Sequence, residues 1–143
     1  MTPADVGVLS AHLLARFQRE LYTTLGAAGH HQLRPRHGAV MAYLDPGGTR
    51  ASELAERSGA HKQVIGTLVD ELETLGYVTR EPDPADRRAK LIVPSAKGRD
   101  QIAAARAVIA GLERSYAEQV GADRFAAFKE VFAEIADHPY TRG

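Results

Sequence analysis

The stretch Arg50–Pro94, RASELAERSGAHKQVIGTLVDELETLGYVTREPDPADRRAKLIVP, changes its hydrophobic period part-way along, and that change decides the fold. Its first half is helical in spacing. A short helix is expected at about Ser52–Arg57, with Leu54 and Ala55 turned inward, followed by a turn at Ser58-Gly59. A longer helix follows at about His61–Leu75, where Val64, Ile65, Leu68, Leu72 and Leu75 recur at helical intervals and fall on one face. Gly76 is placed to end it, because a helix commonly stops on a glycine in the left-handed conformation. Beyond it, Tyr77–Arg80 and Lys90–Val93 are short β-prone runs. Pro82–Arg88 between them is polar and turn-rich, which predicts a hairpin with a long, charged tip.

On the N-terminal side, Val6, Leu9, Leu13, Phe17, Leu21 and Leu25 mark a helix over residues 5–26 that Gly26 and Gly29 break. Pro35 suits the first turn of a second helix running to about Leu44, and Asp45-Pro46-Gly47-Gly48 is a strong turn signal. On the C-terminal side, Ile102, Ala105, Ile109, Leu112, Tyr116 and Val120 stripe a long helix, and Phe125, Phe128, Phe132 and Ile135 stripe a last one after Gly121. The expected fold is mainly α with a small β-hairpin wing: a winged helix-turn-helix with flanking dimerisation helices. It is read as a single domain over 1–143, with the winged lobe at 33–94 and dimerisation helices at 5–30 and 95–138. The terminal stripes are too broad to bury against one small lobe, so a second copy of the chain is the simplest partner.

Composition excludes more than it selects. There is no cysteine, which removes disulfides and thiolate metal sites. No run approaches the roughly 18–20 apolar residues of a membrane span, and no signal pattern opens the chain, so a cytoplasmic protein is expected. Eighteen Lys+Arg against eighteen Asp+Glu give a formal net charge of zero, so global charge lends a nucleic-acid partner no support.

Local placement carries that reading instead. Two short helices joined by a glycine-containing turn are a helix-turn-helix, whose second helix can lie in a DNA major groove. With Val64, Ile65, Leu68 and Leu72 inward, that helix shows Lys62, Gln63, Gly66, Thr67 and Asp70 outward. Lys62 and Gln63 lie at the end that reaches bases and phosphates: Gln can pair with adenine, and Lys can meet guanine or phosphate. Gly66 costs a mid-helix position about 1 kcal/mol against Ala, and two readings are open for it, close approach of DNA or tight helix packing. The hairpin tip carries Asp86, Arg87 and Arg88, flanked by Arg80 and Lys90. Arginines on a loop can enter a minor groove, and a neighbouring carboxylate can fix their orientation.

The series Leu54-Ala55, Leu68-Val69-Asp70-Glu71-Leu72-Glu73, Gly76-Tyr77-Val78-x-Arg80, Asp83-Pro84-x-Asp86-Arg87-Arg88-Ala89-Lys90 and Ser95-x-x-Gly98-Arg99 resembles the MarR family of bacterial regulators. The similarity is strong over about 33–100 and extends to the flanking helices in length and pattern only. It implies a homodimer of winged lobes that binds a pseudo-palindromic double-stranded operator, mostly as a repressor, and is released by a small aromatic or phenolic ligand. Carried over by position, His61 to Thr67 start the recognition helix, Arg88 is the wing arginine that Asp86 orients, and Arg87 contacts backbone. The chain departs from the family in having Gly66-Thr67 where Ser or Thr followed by Arg is common, and Arg34 at a frequent helix-cap position.

The resemblance puts an effector cleft between the first two helices and the wing lobe, with His12, Arg16, His37, Met41 and Tyr43 as candidate contacts and Tyr22, His30 and His31 nearby. A zinc-responsive regulator built on His30, His31 and His37 is an alternative, as is a winged-helix protein-interaction module without DNA binding. No cofactor or catalysis is expected, since no nucleophile elbow, phosphate loop, paired-carboxylate site or HExxH motif is present.

Overall fold

A computed structural model describes residues 3–138. Helix α1 (Val6–Leu25) is capped by Asp5, whose carboxylate accepts the Val8 N–H at 2.9 Å. It does not stop at Gly26 as expected: that residue keeps helical angles, and a wider π-type turn, Gly26–His30, carries the chain on until Gly29 reverses it. A 3₁₀ turn (Pro35–His37) leads into the short α2 (Gly38–Met41). Then come α3 (Ala51–Ser58), α4 (Lys62–Thr74), strands β1 (Val78–Asp83) and β2 (Asp86–Pro94), α5 (Ala96–Val120) and α6 (Ala122–Asp137).

Chain contacts divide this series into one unit up to Arg106 and a second from Ala107 onward. The first closes a core of its own around Leu33, Val40, Leu54, Ile65, Val69, Leu72, Tyr77 and Ile92. The buried face of α4 is Ile65, Leu68, Val69 and Leu72. Val64, expected inside, is 47% exposed, and Val69 takes the core position. The helix ends as Gly76 allows, at φ +86°: the Tyr77 N–H returns to the Leu72 carbonyl at 2.9 Å and the Gly76 N–H to Glu73 at 3.1 Å. That double closure also swings Tyr77 into the core against the helix it has just left.

The hairpin strands run further than the β-prone residues suggested. β1 and β2 pair antiparallel from Val78↔Pro94 to Pro82↔Lys90, and the turn between them is only Pro84-Ala85. The register then jumps to Asp83↔Asp86, leaving Arg87, Arg88 and Ala89 bulged on β2 without opposite partners. Thr49 adds a bridge to Ile92 through bonds of 2.9 and 2.8 Å, which fastens the wing to the turn before α3.

The start of α5 is set by Ser95, whose hydroxyl accepts the Gly98 N–H at 3.1 Å and donates to the Gly76 carbonyl. Gly98 is a close-approach glycine: a Cβ there would collide with the Tyr77 carbonyl. The Ser-x-x-Gly spacing therefore seats α5 on Tyr77, the residue just before β1.

In the second unit Tyr116, Phe125, Phe128 and Phe132 form a run of ring contacts, the last pair stacked at 5.3 Å. Lys129 reaches Glu113 at 2.6 Å. Helix α6 buries none of its residues, and Phe128, Val131, Phe132 and Ile135 are exposed. Among the described residues no helix is long and apolar enough to cross a membrane.

Candidate nucleic-acid interface

The turn between α3 and α4 is held locally, by the Gly59 N–H on the Ala55 carbonyl and the Ala60 N–H on the Ser58 hydroxyl. It delivers His61 as the residue before α4, Lys62 and Gln63 as its first two residues, and Gly66 and Thr67 one turn on. His61, Lys62, Gln63 and Thr67 are exposed. No side chain caps this helix start. The Thr67 hydroxyl folds back on the Gln63 carbonyl at 3.2 Å. A Cβ placed on Gly66 would meet nothing within 4 Å, so packing within the chain does not account for the glycine.

The wing is tied to α4 by Arg80, which donates to Asp70 at 2.6 Å and to Glu73 at 3.0 Å. Asp70, Glu73 and Gly66 share one flank of the helix by their spacing, so the flank left open at Gly66 is the one that faces the wing's attachment. At the wing's end Asp83 holds the turn. Its carboxylate accepts the Ala85 N–H at 2.9 Å and pairs with Arg50 at 2.7 Å. The Ala85 bond first, and Arg50 second, hold its carboxyl below the usual range.

Arg87 and Arg88 do not sit on the hairpin tip, as the turn-rich sequence suggested, but on β2 in its bulge. Asp86 opens that strand and accepts the Arg88 backbone N–H at 3.1 Å; the guanidinium is only within 3.5 Å and the side chain is 94% exposed. Lys90 is back in register opposite Pro82. Lys62, Arg87 and Lys90 have no ion-pair partner among the described residues, whereas Arg80, which flanks the same run in sequence, is neutralised by two carboxylates.

Behind α4 a second set of bonds ties it to the segment before α2. Glu71 accepts from His37 Nε2 at 2.8 Å and from Arg36 at 3.1 Å, and these two bonds hold its carboxyl low. His37 is 2% exposed, and its Nδ1 accepts the Arg34 N–H at 2.9 Å, so the histidine caps the helix start that Arg34 leaves uncapped. The Arg34 guanidinium turns back to the carbonyls of His31 and Leu33. His30, a candidate for the cleft and for zinc, is buried: Nε2 meets Asp100 at 2.9 Å and Nδ1 the Tyr77 hydroxyl at 2.7 Å. Burial, and then Asp100, raise the Tyr77 phenol. With both ring nitrogens of His30 and of His37 engaged, and no group of three His, Cys, Asp or Glu converging among the described residues, the zinc reading finds no site.

An open groove of about 600 Å³ lies along α1, lined on one side by Ala15, Gln18, Arg19, Tyr22, Thr23 and Gly26 and on the other by His31, Leu33, Arg34 and Pro35. Burial raises the Tyr22 phenol there. Tyr22 and His31 were foreseen in it. His12, Arg16, His37, Met41 and Tyr43 do not line it: His12 and Arg16 lie exposed further up α1, His37 and Met41 are buried in the lobe, and Tyr43 is exposed with its carbonyl on Arg57. Arg19, Thr23 and Arg34 were missed. The helical recurrence of Ala15, Arg19, Tyr22 and Gly26 along a second face of α1 was the signal available for the first wall; the second wall depends on where residues 31–35 fold back.

Known proteins agree with this architecture. A family model described as the MarR family matches residues 31–89. The transcriptional regulator HosA of Escherichia coli O111:H- is 30% identical over 91 residues, covering 61% of this chain and 67% of that protein. An uncharacterised HTH-type transcriptional regulator of Bacillus subtilis (strain 168), YcgE, is 46% identical over 50 residues; the match spans 35% of this chain and 32% of YcgE, about a third of its length. Among solved structures, CouR from Rhodococcus jostii RHA1 bound to p-coumaroyl-CoA superposes with a TM-score of 0.76 at 27% identity, covering 96% of each chain. The repressor CouR bound to a 23-mer DNA duplex gives 0.75 at 26% identity, covering 92% of each.

Proposed function

The chain belongs to the MarR family of transcription regulators, and on that premise we propose that it binds a pseudo-palindromic DNA operator as a homodimer and represses from it. One observation carries the reading. Three exposed cations with no carboxylate partner among the described residues, Lys62, Arg87 and Lys90, lie at the start of α4 and on the bulged strand β2, and Arg80 on the paired strand β1 ties the wing to α4. The first turns of α4, with His61, Lys62, Gln63, Gly66 and Thr67, enter the major groove. The wing, with Asp86, Arg87, Arg88 and Lys90, follows the adjacent backbone and minor groove. Gly66 allows a close approach of the DNA strand that runs between helix and wing, and its open flank supports that role over internal packing.

The second copy covers the apolar residues left exposed near the two ends of the chain, Val6 and Leu9 on α1 and Phe128, Phe132 and Ile135 on α6. A small aromatic acid or its thioester occupies the α1 groove, where Arg19, His31 and Arg34 supply cationic or donor groups beside Tyr22. This moves the effector site away from His12, Arg16, His37, Met41 and Tyr43. CouR, which is bound to p-coumaroyl-CoA in one structure and to DNA in another, supports both halves of the reading. The protein acts in the cytoplasm and catalyses no reaction.

The test is capture of genomic fragments by the purified protein, followed by footprinting on the best of them. The expected result is salt-sensitive binding to a site with two-fold symmetry and half-sites about one helical turn apart, or a multiple of it. Failure to retain any duplex at low salt overturns the reading.

A further inference from the structure

Helix α4 has two residues near its start that its own fold does not explain. Val64 is β-branched, a weaker helix former than alanine, and it is 47% exposed where the helical pattern would have it buried. Gly66 is a poorer helix former still, and its missing Cβ relieves no contact. An alanine at either position would give a more stable helix. Both lie among Lys62, Gln63 and Thr67 in the first turns, before the residues Asp70, Glu71 and Glu73 that fasten the helix to the rest of the lobe. Gly66 relieves no contact of its own chain, and Val64 leaves about half of its surface open beside it, so the two together leave room for an external partner.

The chemistry of Val64 narrows what it meets. Its side chain offers methyl groups and no hydrogen bond. In the major groove the base edges present donors and acceptors at every pair, and one apolar group, the C5-methyl of thymine. We infer that Val64 is a specificity-determining residue that packs on a thymine methyl in each half-site. Gln63, one residue earlier and suited to adenine, makes an A·T-rich contact at that end of the helix consistent. The inference rests on the DNA-binding reading and adds to it a base at a named residue.

The experiment uses the full-length protein and the duplex it selects from a random pool. Each thymine of the selected half-site is replaced in turn by deoxyuridine, which removes the C5-methyl and leaves every hydrogen-bonding group. For the wild type, one position per half-site should lower affinity about three- to fivefold, the effect of burying a single methyl group. V64A should lose a similar factor on the thymine duplex and respond to the same replacement by less than about twofold. Val64→Thr, which keeps the shape and one methyl, should fall between. V64A should melt within a few degrees of the wild type, because the helix-favouring alanine offsets the loss of a half-covered side chain, which separates lost contact from lost fold. If no deoxyuridine position distinguishes the wild type from V64A, the inference fails while DNA binding stands. If the pool yields no selected duplex, the DNA-binding reading fails and takes the inference with it.

Discussion

The base of the wing and its reading edge carry the same kinds of cation and put them to opposite uses. At the base, Arg80 is held by Asp70 and Glu73, and at the wing's turn Arg50 is held by Asp83. On the edge and on the adjoining start of α4, Lys62, Arg87 and Lys90 have no such partner among the described residues, and Arg88 touches Asp86 only at long range. A chain with no net charge can therefore present unpaired cations beside α4 and β2, because Asp70, Glu73 and Asp83 are paired with the arginines that build the lobe. The difference teaches that net charge was the wrong quantity to ask of this sequence; the pairing of each charge was the right one.

The largest effect should come from stripping the unpaired set. K62A/R87A/K90A removes three cations per lobe and so six from a dimer, which should flatten the slope of log affinity against log salt by about five. Its melting temperature should stay near the wild type's, since none of the three is bonded within the lobe. A large loss of stability would show that these residues belong to the fold after all.

Single residues from the two sets should then separate cleanly. Arg88→Ala should weaken operator binding by about 1–3 kcal/mol with no change in melting, as expected of a groove contact. Arg50→Ala should do the reverse, lowering the melting temperature and leaving the salt slope close to the wild type's. Acid should find the paired set as well. Asp83 and Glu71 have folded-state pKa values below their unfolded ones, so each stabilises the fold above the ordinary carboxylate range. That contribution is lost as pH falls through this range toward the lower folded values. Melting curves of the wild type between about pH 6 and 3 should show the loss, and Arg50→Ala should show less of it, because the Arg50 contribution to the Asp83 shift is already gone.

Much of this lobe was legible in the sequence because it is made by local rules. The α3–α4 pair, the Gly76 stop and the return to strand all follow from spacing and from one glycine conformation. The misreadings have physical causes. Pro82 and Pro84 suggested a loop, but Pro82 still sits in register opposite Lys90, and the bulge on β2 absorbs the excess length. Val64 was assigned to the core because it fits a helical stripe, yet the buried arc is centred on Ile65, Leu68, Val69 and Leu72 and leaves it on the rim. The groove and the two buried histidines were not legible, since His30 meets Asp100 seventy residues on and His37 meets Glu71 thirty-four residues on.

Gly66 sharpens the comparison from inside one helix. Gly66→Ala should raise stability by up to about 1 kcal/mol, because the added methyl meets open space and alanine favours the helix. The same change should weaken operator binding, since the methyl stands on the flank next to the wing's attachment where the DNA strand passes. Thermal melting and a binding titration on one preparation check both signs. Higher stability with unchanged affinity would mean that no partner approaches closely there.

The smallest effect is expected at Asp86, where the two uses of charge meet. Its carboxylate accepts the Arg88 backbone N–H at 3.1 Å, a firm bond, and approaches the guanidinium at 3.5 Å, a poor one. As an anion on the reading edge it repels phosphate; as an acceptor it fixes the bulge that presents Arg87 and Arg88. If the backbone bond is what matters, Asp86→Ala should weaken operator binding by about 0.5–1 kcal/mol, the net value of one ordinary hydrogen bond, despite removing a negative charge. Asp86→Asn, which keeps an acceptor oxygen and drops the charge, should then bind at least as well as the wild type. If both variants bind more tightly, repulsion outweighs orientation, and Asp86 belongs with neither set.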